Sequence, residues 1–140
     1  MKILLAVDGS PYTQKMLDYV TTHAPLFGPG HDYTAFSAQP ALPPQVRAAV
    51  GPEESERYGA EEAEAVLAPV CTFLARHGIT PARCWQLGPV GRTLAEFAEA
   101  GAFDLLVMGS HGHGALGNLV MGSVTTEVLA RCRVPVLLIR

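Results

Sequence analysis

Apolar positions along this chain come in two patterns that alternate: short continuous runs, and stretches that repeat every three or four residues. Lys2 to Val7 is a continuous run, as expected of a strand covered on both faces. Ser10 and Pro11 then pair an N-cap residue with a first-turn proline, whose missing amide costs nothing there. Tyr12, Met16, Val20 and Ala24 recur every four residues on one helix face, and Pro25 is expected to stop that helix. Asp32 to Ala38 reads as a second strand. The Pro-rich stretch Pro40 to Pro44 and the segment on to Gly51 carry no periodicity and receive no element.

From Pro52 a long helix is predicted, acidic at its start (Glu53, Glu54, Glu56), which suits the positive end of the helix dipole. Its core stripe is Ala63, Val66, Leu67, Val70, Phe73 and Leu74; Pro69 should kink it, and Gly78 with Ile79 forms a Schellman stop. Arg83 to Leu87 is a third strand, Val90 to Ala100 a helix closed by Gly101, and Asp104 to Met108 a fourth strand. Ser123 to Arg131 is the last helix and Val134 to Ile139 the last strand. Five strands alternating with four helices predict an α/β fold, a parallel sheet with helices on both faces. Residues 1 to 140 read as a single domain, without linker, repeat or low-complexity tract.

Composition narrows the picture. Hydrophobic residues make up 49% and charged residues 16%, which suits a doubly covered sheet and argues against disorder. A net charge of −3 gives no basic footprint, so no nucleic-acid partner is expected. The opening MKILLAVDGS is too short an apolar run for a signal peptide or a membrane span, and no membrane association is expected. Cys71, Cys84 and Cys132 share no CxxC spacing and are odd in number. Free thiols in a reducing cytoplasm are the simplest account.

The chemistry concentrates in GSHGHGALGNLVMGS, Gly109 to Ser123, between the fourth strand and the fourth helix. Five of its fifteen residues are glycine, placed where open α/β sheets bind ligands. Glycines there let backbone amides approach a phosphate, and a helix N-terminus completes an anion site. Ser123 is expected to cap that helix and to offer its hydroxyl to a phosphate oxygen. The plainer reading of these glycines is that they only make turns. A Walker A loop is excluded, because Gly122 is followed by Ser123 with no lysine. Gly112, Gly114 and Gly117 match G-x-G-x-x-G, but after the fourth strand rather than the first, and without the acidic residue that a dinucleotide fold carries after its next strand.

A different spacing fits. Gly109, Gly112, Gly122 and Ser123 reproduce G-x2-G-x9-G-[S/T], and here the chain resembles the ATP-binding universal stress proteins. VDGS, Val7 to Ser10, is similar to that family's first-strand turn, and CRVPVLLIR to its closing strand. The resemblance implies strand order 3-2-1-4-5, ATP as ligand with AMP or ADP as variants, and Mg²⁺ as a candidate companion ion. It implies that Gly109, Ser110, His111, Gly112, Gly122, Ser123 and Val124 serve the phosphates and Asp8 the nucleoside. Backbone near Ala38 would meet adenine. It further implies a homodimer through Val134 to Ile139. Many relatives place Arg where this chain has His111, so a fixed positive charge is missing.

Other readings stand beside these. Asp8 can equally be a helix-start carboxylate that satisfies amides alongside Ser10. His111 and His113 lack the further ligands of a zinc set and read as solvent-facing or phosphate-touching. His23 and His77 sit at helix ends, where an imidazolium suits the dipole. Arg131 and Arg133 flank Cys132 and could lower its pKa, or merely form a solvated rim. The functional expectation is a cytoplasmic stress-response protein that binds ATP as a sensor or regulator, not an efficient enzyme. Its alternatives are a nucleotide-independent dimer and a slow Mg-dependent hydrolase using Asp8.

Overall fold

The computed structural model describes residues 1–114 and 120–140. Its elements run β1 (Lys2–Ala6), α1 (Pro11–Thr22), β2 (Asp32–Gln39), α2 (Pro44–Ala75), β3 (Ala82–Leu87), α3 (Val90–Ala100), β4 (Leu105–Gly109), α4 (Ser123–Arg131) and β5 (Val136–Ile139). The strands form one parallel sheet in the order β3-β2-β1-β4-β5, as expected.

The period of two along β1 divides the core. Ile3, Leu5 and Val7 pack with Met16, Leu17 and Val20 of α1 and Ala63, Leu67, Val70 and Leu74 of α2. Leu4 turns to the other face, with Leu94 and Ala98 of α3 and Val128 of α4. Ile3, Leu4 and Leu5 have no accessible surface, each side chain contributing about 1.5–3 kcal/mol of transfer free energy. β1 and β4 thus lie buried between two helical layers, and their C-terminal ends open onto one edge of the sandwich.

Four local expectations need correction. α1 ends at Thr22, so Ala24 lies outside it, in a separate turn where the N–H groups of Leu26 and Phe27 both donate to His23 O. The segment left without an element forms helix: α2 begins at Pro44, and Gly51, at φ 85°, separates a first short piece from the long one. Residues 43–50 are all exposed, so this piece carries no core stripe for a periodicity to reveal. The break in α2 falls at Gly51 rather than Pro69, whose backbone stays helical. Pro69 and Ala65 are both exposed, so water can serve the carbonyl that loses its amide partner. β5 starts at Val136, two residues late, after Pro135. The Schellman stop is present: Ile79 N–H donates to Leu74 O at 3.0 Å, and Gly78 has φ 76°.

Candidate functional site

The C-terminal ends of β1, β2 and β4, the first turns of α1 and α4 and the flank of α2 enclose a cavity of about 730 Å³. That volume lies in the range of small-molecule sites, and its place at the strand ends is the usual one for an open α/β sheet. Seven of the eight candidate residues line it: Asp8, Gly109, His111, Gly112, Gly122, Ser123 and Val124. Ser110 does not. It is buried beneath the loop, where its N–H donates to Ile139 O and its carbonyl accepts from Gly122 N–H, each at 2.8 Å.

Asp8 holds the turn after β1 and also borders the cavity. Its Oδ1 accepts from Ser10 N–H and from Thr13 Oγ1, both at 2.9 Å, and its own N–H donates to Thr13 Oγ1 at 3.1 Å. The expected serine cap is not formed: Ser10 holds the N-cap position, but its buried Oγ has no hydrogen-bond partner among the described residues. The other oxygen, Oδ2, faces the loop, 2.8 Å from where a Cβ on Gly112 would stand. One half of the carboxylate is structural and the other faces the cavity.

Packing is close at two of the loop glycines. A Cβ on Gly109 would lie 2.6 Å from Tyr12 Cβ, and one on Gly122 would lie 3.2 Å from His111 Cα. His111 Nδ1 is 2.9 Å from Ser110 Oγ, and its ring lies 5.1 Å from that of Tyr12. His113 Nε2 donates to the Asp8 carbonyl at 2.6 Å, tying the loop to the β1–α1 turn. Gly117, the third glycine of the discarded G-x-G-x-x-G match, lies outside the described residues.

Ser123 is the first residue of α4, not its cap. The N-cap is Gly122, at φ −74° and ψ 165°, which has no side chain to offer. The first helical bond runs from Thr126 N–H to Gly122 O at 3.0 Å, so the amides of Ser123, Val124 and Thr125 have no acceptor within the helix. The Thr125 side chain turns back under the loop, with Oγ1 3.1 Å from Gly109 O and 3.2 Å from Ser110 O.

The opposite wall is formed by the end of β2. Val7 N–H donates to Phe36 O, and Gly88 N–H to Gln39 O. Peptide groups alternate along a strand, so Ala38 directs its amide and carbonyl towards the line of β1, which has ended at Ala6. Phe36, Met108 and Leu94 supply apolar surface beside it.

The sequence model of the Universal stress protein family matches residues 1–140. The chain belongs to that family. It is 30% identical over 140 residues to universal stress protein Slr1230 of Synechocystis, covering 99% of this chain and 42% of that protein. It is 27% identical over 146 residues to a universal stress protein of Mycolicibacterium smegmatis, covering 98% and 47%. The chain therefore spans about half the length of the curated relatives it matches. Solved structures share the fold. UspA from Lactobacillus plantarum superposes with a TM-score of 0.80 at 22% identity, covering 100% of this chain and 97% of that one. The Archaeoglobus fulgidus protein in complex with dAMP gives 0.67 at 20%, covering 100% and 98%. The Arabidopsis thaliana family protein with AMP bound gives 0.69 at 13%, covering 99% and 90%.

Within this universal stress protein fold, Thr13 and Thr125 are the polar anchors that reading the sequence missed. An Asp-x-Ser-x-x-Thr pattern at a helix start could have suggested the first. Nothing local marks the second, whose acceptors lie fifteen and sixteen residues away. His23 and His77 do serve helix ends, each bonding the carbonyl four residues back, Tyr19 O at 2.8 Å and Phe73 O at 3.0 Å. The arginines beside Cys132 do not activate it. Burial pushes its thiol pKa up, and Arg131 is engaged with Glu127 at 3.2 Å. All three cysteines are free. No helix among the described residues is long and apolar enough to cross a membrane.

Proposed function

We propose that residues 1 to 140 form one domain that binds an adenine nucleotide, ATP or its ADP and AMP counterparts, as a cytoplasmic sensor or regulator of a stress response. The observation that carries this reading is the start of α4. Three amides without acceptors in their helix, behind a glycine N-cap, border a cavity at the strand ends. In this reading Gly109, His111, Gly112, Gly122, Ser123 and Val124 surround the phosphates, and Ser110 holds the loop from below. Asp8 Oδ2 accepts from a ribose hydroxyl. The Ala38 amide and carbonyl offer a donor and an acceptor to the edge of adenine, whose face lies on Phe36, Met108 and Leu94. Relatives of this fold bound to dAMP and AMP support the ligand class.

Asp8 Oδ2 is the carboxylate oxygen that would meet a Mg²⁺ carried in on the nucleotide's phosphates; among the described residues no three His, Cys, Asp or Glu side chains gather into a metal site of their own. We derive no hydrolytic step. Mass spectrometry of nucleotide released from purified protein, followed by calorimetric titration, tests the binding reading. Protein that carries no adenine nucleotide and gives no heat with ATP, ADP or AMP overturns it.

A second part of the proposal is a homodimer through β5. This strand is at a sheet edge, and its Val136, Leu137 and Leu138 remain half-exposed. An unpaired edge with apolar side chains on both faces suits antiparallel pairing about a two-fold axis. A monomer by sedimentation at micromolar concentration sinks it. A dimer without nucleotide would favour the nucleotide-independent alternative for this chain.

A further inference from the structure

The charges around the cavity bear on which nucleotide it takes. From Gly109 to Thr126 the sequence contains no Lys, Arg, Asp or Glu, so the whole glycine loop and the first turn of α4 carry no fixed charge. No Lys or Arg is among the described residues that line the cavity, while two carboxylates are, Asp8 and Glu62. Lys15, on α1, is held against the face of Tyr12, with Nζ 4.7 Å from the ring centroid. The two loop histidines hold the loop: His113 donates to Asp8 O, and His111 bonds Ser110 Oγ. Among the described residues, what an anion meets is the partial charge of a helix start, about +0.5 of an elementary charge, and backbone amides, with no Lys or Arg side chain.

We propose that this site selects by phosphate count, taking an adenosine monophosphate in preference to the triphosphate. The inference rests on the adenine-nucleotide reading above. A monophosphate brings close to two negative charges at neutral pH. The amides of Ser123, Val124 and Thr125 can each donate to its oxygens. Each further phosphate adds negative charge that meets no Lys or Arg side chain among the described lining residues, while Asp8 and Glu62 repel it. The nucleoside contacts, to Ala38 and Asp8, are common to all members of the series. Only the cost of the tail differs.

Gly114 offers a way to reverse the preference. It lines the cavity, and a Cβ added there meets none of the described residues within 4 Å. Gly114→Arg therefore places a fixed cation on the loop without steric conflict. His111→Arg does the same from a second position. The test is calorimetric titration of the full chain with adenosine, AMP, ADP and ATP, without divalent cations. Wild type should bind AMP at least as tightly as ATP. At least one arginine variant, folded by circular dichroism, should shift the ATP-to-AMP affinity ratio towards ATP by roughly tenfold or more, as expected of a new charged hydrogen bond. Wild type binding ATP ten times more tightly than AMP overturns the proposal, and so does an unchanged ratio in both variants. Failure of all four ligands, adenosine included, instead overturns the adenine-nucleotide reading on which it stands.

Discussion

Two helices begin at the cavity, and their first turns are built in opposite ways. At α1, Pro11 removes one donor, Ser10 N–H is taken by Asp8 Oδ1, and Thr13 N–H bonds Ser10 O at 3.0 Å. At α4, the cap is a glycine, and the amides of Ser123, Val124 and Thr125 are left by the helix to whatever enters the cavity. Both starts carry a threonine on the third helical residue, Thr13 and Thr125. Thr13 clamps the carboxylate that closes α1. Thr125 anchors α4 to the loop from beneath and leaves its first turn open. A helix start becomes an anion site when the chain withholds its own caps, and one fold can contain both kinds side by side.

The largest effect should come from supplying α4 with the cap it lacks. Gly122→Asp puts a carboxylate at the proposed phosphate position and crowds His111 Cα, so titration with AMP or ATP should give no heat while circular dichroism stays near wild type. If this variant binds as wild type does, the open start of α4 is not the phosphate site and the contrast with α1 has no functional meaning.

Ser123→Ala comes next. It removes one hydrogen bond to a charged group, about 1.5–3 kcal/mol, or roughly ten- to hundredfold in affinity. Because Ser123 is the first helical residue and not the cap, thermal stability should hold. A fall in melting temperature with unchanged affinity would assign it a purely structural role.

Thr125→Val should act on the scaffold. It removes the side-chain donor to the carbonyls of Gly109 and Ser110, the second of which keeps its bond from Gly122 N–H, costing about 1–2 kcal/mol in chemical denaturation. The smallest change expected is Thr13→Val, about 1 kcal/mol, because Ser10 N–H still holds Asp8 Oδ1. Its effect on affinity should be the same for adenosine as for AMP, since it touches the nucleoside side. A loss confined to AMP would mean that α1 also serves the phosphate.

The sequence by itself determined the alternation of elements, and with it the sheet and the strand ends at which the candidate cavity lies. Those signals are local: an apolar run over β1, a stripe along α2, a Gly-Ile stop, and glycines at a spacing that the loop's own packing demands at Gly109 and Gly122. Where a local signal was missing, the reading failed. The helix before Gly51 touches too little of the core to show a stripe, and Ser10 fills an N-cap position without forming a side-chain cap. Only the tertiary structure decided which residues face one another across the cavity. The His113 bond to Asp8 joins positions 105 residues apart, and Thr125 reaches back to the end of β4. Such pairings exist because β1 and β4 are neighbours in the sheet, so their C-terminal turns share one edge. Period and spacing record what each residue does within its own few turns of chain. Which end of one strand meets which loop of another is set by how the layers pack.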